Sequence, residues 1–284
     1  MKNQTTARLN KSNKLFEACF HLARLGHSRQ TKTVVTQKIL LAIPAYRCEK
    51  QIRRVIIGLE KVRARLSLVD RVVIFDNQSP DDTVAEARAQ IVQANLEAWI
   101  EVQINPLNLG LGGTHKKAFE LAHRESYTHI IIFHGDDQGD VNEIPKIIEG
   151  FQRDFAAVLG SRFMTGSSRL GYSKIRILGN RVLNLIYSVL TRQRIEDLGS
   201  GLNGFRVAEL QATSYMNFSN QFSFNMDLLL SLVDSKAKIE FVPISWREID
   251  QLSNARSFRV GWQALMAVLR WKMNSLQRSR QLSA

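Results

Sequence analysis

From residue 38 onward, short apolar runs alternate with longer stretches of helical periodicity. Leu40-Leu41-Ala42-Ile43, Val72-Val73-Ile74-Phe75 and Ile130-Ile131-Ile132-Phe133 are unbroken apolar runs of strand length. Such runs are what parallel strands need when helices cover both faces of a sheet. The pattern predicts strands over 38–44, 71–75, 99–104, 127–134 and 156–160, and helices over 48–66, 82–96, 112–124 and 141–151. That alternation predicts an α/β fold: βα units on a mainly parallel sheet flanked by helices.

Past residue 160 the pattern loosens. Leu178, Val182, Leu185, Ile186, Val189 and Leu190 recur at helical spacing within 175–190. A glycine-rich stretch, Gly199-Ser200-Gly201-Leu202-Asn203-Gly204, follows. Further helices are predicted over 207–216 and 226–234, and a strand over 239–244. The segment 259–273 is apolar in its middle and basic at both ends. Residues 1–36 read as a basic N-terminal extension. One broad helical face there carries Leu15, Phe16, Cys19, Phe20, Leu22 and Ala23. Residues 37–250 read as the main domain, and 251–284 as a basic amphipathic C-terminal helix.

Charge sharpens this division. The net charge of +13 lies almost entirely at the ends. Residues 1–32 hold seven Lys/Arg against Glu17, and residues 246–284 hold seven against Glu248 and Asp250. A near-neutral body with cationic ends suits an anionic membrane surface. It speaks against nucleic acid as the partner of the body. No apolar run reaches the ~18 residues of a membrane span, and no signal peptide is expected. Two cysteines, Cys19 and Cys48, make no disulfide framework, and a cytoplasmic setting fits.

The candidate chemistry sits where predicted strands end. In open α/β sheets ligands bind at the carboxyl ends of strands. His134-Gly135-Asp136-Asp137-Gln138 follows the run 130–133. Clustered oxygens there suit a hard divalent cation that holds phosphates, although a plain polar turn would look the same. Ile43-Pro44-Ala45-Tyr46 ends the first strand. Asp76-Asn77-Gln78-Ser79-Pro80-Asp81-Asp82 ends the second, with Asp81 or Asp82 available as a helix N-cap. Asn108-Leu109-Gly110-Leu111-Gly112-Gly113 precedes a helix and has the look of a phosphate-cradling loop. It lacks the Gly-Lys-Ser/Thr ending of a P-loop. Arg162 and Arg176 follow the fifth strand, and arginine forks match phosphate oxygens. No nucleophile-base arrangement stands out.

The order of these motifs resembles family 2 glycosyltransferases of the GT-A fold, and most of all the dolichyl- or polyprenyl-phosphate sugar synthases. The resemblance covers roughly residues 37–260. It rests on the motifs above with Gly160-Ser-Arg-Phe163, Asp197-Leu-Gly-Ser-Gly-Leu-Asn-Gly-Phe-Arg206 and Val242-Pro-Ile-Ser-Trp-Arg247. It implies an inverting, metal-dependent transferase with a GT-A catalytic domain over 37–250. Pro44 and Tyr46 would line the base pocket, Asp76 with Asn77 would contact the nucleotide, and Gly110 and Gly112 would form the donor-side loop. Asp136 and Gln138 would bind Mg²⁺ or Mn²⁺, with His134 as a third ligand. Arg162 and Arg176 would face phosphates, and Arg247 would close over the donor pyrophosphate. The implied partners are a nucleotide-diphosphate sugar and a polyprenyl phosphate, with the enzyme peripheral at the membrane.

The chain departs from that pattern in four places. His134 replaces the first acid of Asp-x-Asp, and Asn77 replaces the second acid of a common Asp-Asp pair. Asn180 stands where serine is frequent, and Ser200 and Asn203 differ within the glycine-rich stretch. Imidazole binds Mn²⁺ better than Mg²⁺, so His134 implies a Mn²⁺ preference if it ligates. Asp137 reads as a bystander. Asp227 lies near where the family places an acceptor-side acid, and reads equally as an N-terminal helix acid. The stripe 177–190 and the tail 260–273, with Trp262 and Trp271, suit interfacial helices and suit core packing equally. Relatives often carry transmembrane helices after the catalytic domain. None is expected here, which leaves room for a membrane-anchoring partner subunit. The alternatives are a family 2 transferase acting on a soluble or polymer sugar hydroxyl, and an inactive nucleotide-sugar-binding scaffold.

Overall fold

The computed structural model describes residues 37–250 and 257–281. The expected N-terminal extension, with its amphipathic patch, lies outside the described residues.

Four strands and three intervening helices build the first half: β1 (Ile39–Ala45), α1 (Glu49–Val62), β2 (Val69–Asp76), α2 (Thr83–Gln93), β3 (Ile100–Ile104), α3 (Gly110–Arg124) and β4 (His129–Phe133). The unbroken apolar runs are buried on both faces, as their composition requires. Ile39, Leu41 and Ile43 join the core beneath α1, while Leu40 and Ala42 join the core beneath α3. Next come α4 (Ile144–Gln152), β5 (Ala157–Ser161), β6 (Arg169–Leu170) and α5 (Lys174–Thr191). The chain continues through β7 (Leu202–Arg206), α6 (Val207–Gln211), α7 (Phe224–Asp234), β8 (Ile239–Pro243), β9 (Trp246–Arg247) and α8 (Ser257–Gln281).

The main sheet runs β3-β2-β1-β4-β7-β5-β8. All its pairings are parallel except those of β7, which lies antiparallel between β4 and β5. The sequence pattern did not predict β7. Its residues lie inside and just beyond the glycine-rich stretch, and Gly204 admits the Ile147 and Phe151 side chains of α4 so closely that a Cβ would meet Ile147 at 2.2 Å. The site depends on this strand: register Phe133↔Leu202 brings Gly201 beside His134, whose N–H donates to the Gly201 carbonyl at 2.9 Å.

On the flank, α5 packs against α8. Tyr187 is fully buried and donates its hydroxyl to the Ala264 carbonyl at 2.8 Å. Among the described residues, nothing covers the opposite face of α5: Ile175, Leu178, Val182, Leu185 and Val189 are 48–83% exposed. Among the described residues, no helix is long and apolar enough to cross a membrane.

Candidate active site

Register decides which side chains meet. Ala45 pairs with Asp76 and Asp76 with Ile104, so β1, β2 and β3 finish at one edge. The Gly135 N–H donates to the Pro44 carbonyl at 2.9 Å, which sets the His134–Gln138 turn beside the end of β1. This is the carboxyl edge of the parallel strands, where α/β folds bind ligands.

A cleft of about 300 Å³ opens there, lined by Arg54, Asp136, Asp137, Gln138, Arg247, Ile249 and Asp250. Burial holds the Asp136 carboxyl above the ordinary carboxylate range, against the opposing pull of His134 and the Gln138 amide. Burial likewise pushes His134 down, so its imidazole is neutral at pH 7. Its Nε2 is buried without a hydrogen-bond partner, as is Oδ1 of Asp76. Such orphans are costly unless a ligand or ion meets them. Asp136 and Gln138 line the cleft and His134 does not, while a carboxylate, an amide and a neutral imidazole are donor types that suit Mn²⁺. Among the described residues, no three His, Cys, Asp or Glu side chains form a complete protein cage. Phosphate-bound divalent cations need none, since one or two carboxylates and the substrate phosphates suffice.

Residues 41–211 match the family model described as glycosyl transferase family 2. This chain belongs to that family. It is 25% identical over 253 residues to the UDP-N-acetylglucosamine--dolichyl-phosphate N-acetylglucosaminyltransferase of Methanococcus voltae, covering 84% of this chain and 97% of that one. It is 27% identical over 221 residues to an uncharacterised protein of Methanocaldococcus jannaschii, covering 74% and 89%. Its fold matches the glucosyl-3-phosphoglycerate synthase of Mycobacterium tuberculosis at a TM-score of 0.61 and 16% identity, covering 83% of this chain and 80% of that one. A structure of that synthase holds Mn²⁺, uridine diphosphate and phosphoglyceric acid, and matches at a TM-score of 0.61, 15% identity and coverage of 83% and 78%. The GT-A fold expected from the motifs is the fold observed.

Within this glycosyltransferase, several expected ligand residues make contacts that hold the scaffold. Asn77 was expected to contact the nucleotide. Its Oδ1 accepts from the Leu109 N–H at 2.9 Å and from Asn105 Nδ2 at 3.1 Å, and its Nδ2 donates to Asn108 Oδ1 at 2.9 Å. The residue therefore clamps the 105–109 loop to β2. This accounts for asparagine in place of acid: the site needs an acceptor and a donor together.

Gly110 and Gly112 were expected to form the donor-side loop. Both lie close against the 219–220 backbone. A Cβ on Gly110, whose φ is +73°, would meet the Asn220 carbonyl oxygen at 2.4 Å, and one on Gly112 would meet that of Ser219 at 2.5 Å. Lys116 secures the same segment, donating to the carbonyls of Met216 and Phe218 and to Asn220 Oδ1 at 2.6–3.0 Å.

Arg162 is likewise committed. Nε and Nη2 donate to Asp197 at 2.8 and 2.7 Å, and Nη2 also reaches the Gly199 carbonyl at 3.0 Å. Burial alone would lower the guanidinium pKa, but the Asp197 charge and hydrogen bonds outweigh it and raise it. Arg162, expected to face phosphate, forms a buried ion pair that ties β5 to the stretch before β7. Arg176 lies over the Tyr172 ring at 4.2 Å and pairs with Glu248 at 2.6 Å, next to Arg247. Asn180 donates to the Arg176 carbonyl at 2.7 Å. Asp227 is not among the residues lining the cleft, and its carboxyl is pushed up by burial near Arg270. Trp271, expected at a membrane interface, donates Nε1 to Asp234 at 2.9 Å.

Pro44 is buried at the end of β1, while Tyr46 is half-buried with the Arg47 guanidinium 5.5 Å from its ring. Sequence reasoning missed Arg54, and it took Asp137 for a bystander. Asp137 is 7% exposed, has φ +55°, accepts from Arg54 Nε at 2.6 Å and also forms an ion pair with Arg247. Arg54 carried no visible signal, being one of several basic residues on an amphipathic helix.

Proposed function

We propose that this family 2 glycosyltransferase moves a sugar, with inversion, from a nucleotide-diphosphate sugar to a polyprenyl phosphate at a membrane surface. The observation that carries the acceptor is the apolar rim. Ile249 lines the cleft and is 70% exposed, Leu170 is 63% exposed, and the open stripe of α5 begins at Ile175, beside Arg176. Lys174 and Arg181 on the same helix, and Arg192 just past its end, are exposed. An apolar strip bordered by cations beside a phosphate-handling cleft suits a lipid phosphate whose tail stays in the bilayer. The nearly full-length similarity to a dolichyl-phosphate transferase supports the same acceptor class.

In this reading Tyr46 and Asp76 take the nucleoside, with the unpartnered Asp76 Oδ1 accepting from a ribose hydroxyl or base N–H. Asp136, Gln138 and His134 would hold the divalent ion, which supplies charge stabilisation to the departing diphosphate. Arg247 adds a second, guanidinium-based stabilisation of the same charge. The acceptor phosphate is already anionic and needs no general base to attack the anomeric carbon.

The test is to offer radiolabelled nucleotide sugars with a polyprenyl phosphate, detergent and Mn²⁺. Label entering an organic-extractable product supports the reading. Label found only in water-soluble product would replace the acceptor with a sugar hydroxyl or small phosphate. Donor binding without turnover on either acceptor would favour a scaffold.

A further inference from the structure

Asp137 is a nearly buried carboxylate between two arginines. Arg54 Nε donates to Oδ2 at 2.6 Å, Arg247 Nη2 pairs with Oδ1, and Arg247 Nε donates to the Asp137 carbonyl at 2.9 Å. The Arg247 N–H also donates to the Gln138 carbonyl at 2.8 Å, so the backbone beneath its side chain is fixed. Arg54 is itself held from behind, because its Nη2 reaches both oxygens of Asp250, at 2.8 and 3.1 Å. All five residues line the cleft. A buried carboxylate stripped of its only cation is strongly penalised, whereas one that keeps a second cation is not.

We infer that Arg54 and Asp137 form an exchange pair that parks Arg247 and releases it to the donor diphosphate. Asp137 holds the Arg247 fork at the cleft when no diphosphate is present. When the diphosphate draws the fork away, Arg54 keeps Asp137 neutralised, so the transfer of Arg247 leaves no orphaned buried charge. Arg54 and Asp137 are thus positioning residues that act through Arg247. The inference rests on the reading of the cleft as the donor diphosphate site.

The arrangement predicts a sign that a structural role alone does not produce. Without Arg54, Asp137 keeps Arg247 as its remaining arginine partner among the described residues and grips it, so diphosphate binding weakens. Removing the Asp137 charge then restores it. Titration calorimetry of the full chain with uridine, guanosine, cytidine, adenosine and thymidine diphosphates, each with Mn²⁺, measures this. Arg54→Met should weaken the diphosphate that binds by about tenfold. Asp137→Asn, which suits a left-handed position, should bind at least as tightly as the parent. The double variant should return to within about threefold of the parent. With the preferred donor, the KM of Arg54→Met should rise with little change in kcat. Additive losses in the double variant, or unchanged binding in Arg54→Met, overturn the exchange pair and leave the donor site standing. Failure of the parent to bind any of the five overturns both.

Discussion

Truncating Asp197 to alanine separates a buried ion pair from a phosphate-reading arginine. Asp197 is 3% exposed and accepts from four donors: Arg162 N–H at 3.0 Å, Nε at 2.8 Å, Nη2 at 2.7 Å and Gly199 N–H at 3.2 Å. Its loss strands the Arg162 guanidinium, which is packed 5.2–5.8 Å from the rings of Trp246, Phe163 and Tyr172 and has a single carbonyl partner left, that of Gly199. Breaking a buried pair from one side costs about 3–5 kcal/mol. Asp197→Ala should therefore lower the unfolding free energy in urea by about that amount. The ring contacts are apolar and would accept a methionine stem, so Arg162→Met/Asp197→Ala should recover at least about 1 kcal/mol relative to Asp197→Ala. A loss under about 1 kcal/mol for Asp197→Ala would mean that Arg162 is free to meet phosphates after all. Strictly additive losses in the double variant would equally refute the pair.

Three further outcomes follow from the same geometry. Asn77→Asp sets a carboxylate against Asn108 Oδ1 in place of an N–H donor, and should cost about 1–3 kcal/mol in urea unfolding and weaken diphosphate binding. Gly110→Ala forces a methyl onto the Asn220 carbonyl at a positive φ, and should lower stability in urea unfolding by about 1–3 kcal/mol. His115 is pushed down to about 3 and His129 to about 4, both chiefly by burial. The unfolded chain binds protons near pH 6.5 and the folded chain does not, so their contribution is complete above pH 6.5 and is lost as pH falls from there toward 4. Melting temperature should fall across that window, and His129→Gln should make the fall shallower.

Much of the fold was legible because burial on both faces leaves an unmistakable apolar run. The runs at 40–43, 72–75 and 130–133 became β1, β2 and β4 in register, and the acidic turn after residue 133 landed at the sheet edge. β7 was illegible because its pairing with β4 and β5 is long-range and its composition follows from crowding by α4. The acidic turn and the arginines were visible as residue types, but their partners were not. Whether an arginine meets substrate or carboxylate depends on what another strand delivers, and Asp197 lies 35 residues from Arg162. The two glycines show the same limit from the other side. Close approach was evident, but its object was the 219–220 backbone. Asp137 looked idle because its arginines come from α1 and β9.

Asp136 is the group proposed to couple this cleft to sugar transfer. The most direct test is the initial rate at which label from the preferred nucleotide sugar enters the organic phase on a polyprenyl phosphate, for the parent and for Asp136→Asn with Mn²⁺. The isosteric change keeps the turn, whose Gln138 N–H donates to Asp136 Oδ1 at 3.2 Å, and removes the charge. The account predicts lipid-linked product from the parent and a loss on the order of 100-fold or more in the variant. Equal rates from the two proteins, or no lipid-linked product from the parent with any donor, would contradict it.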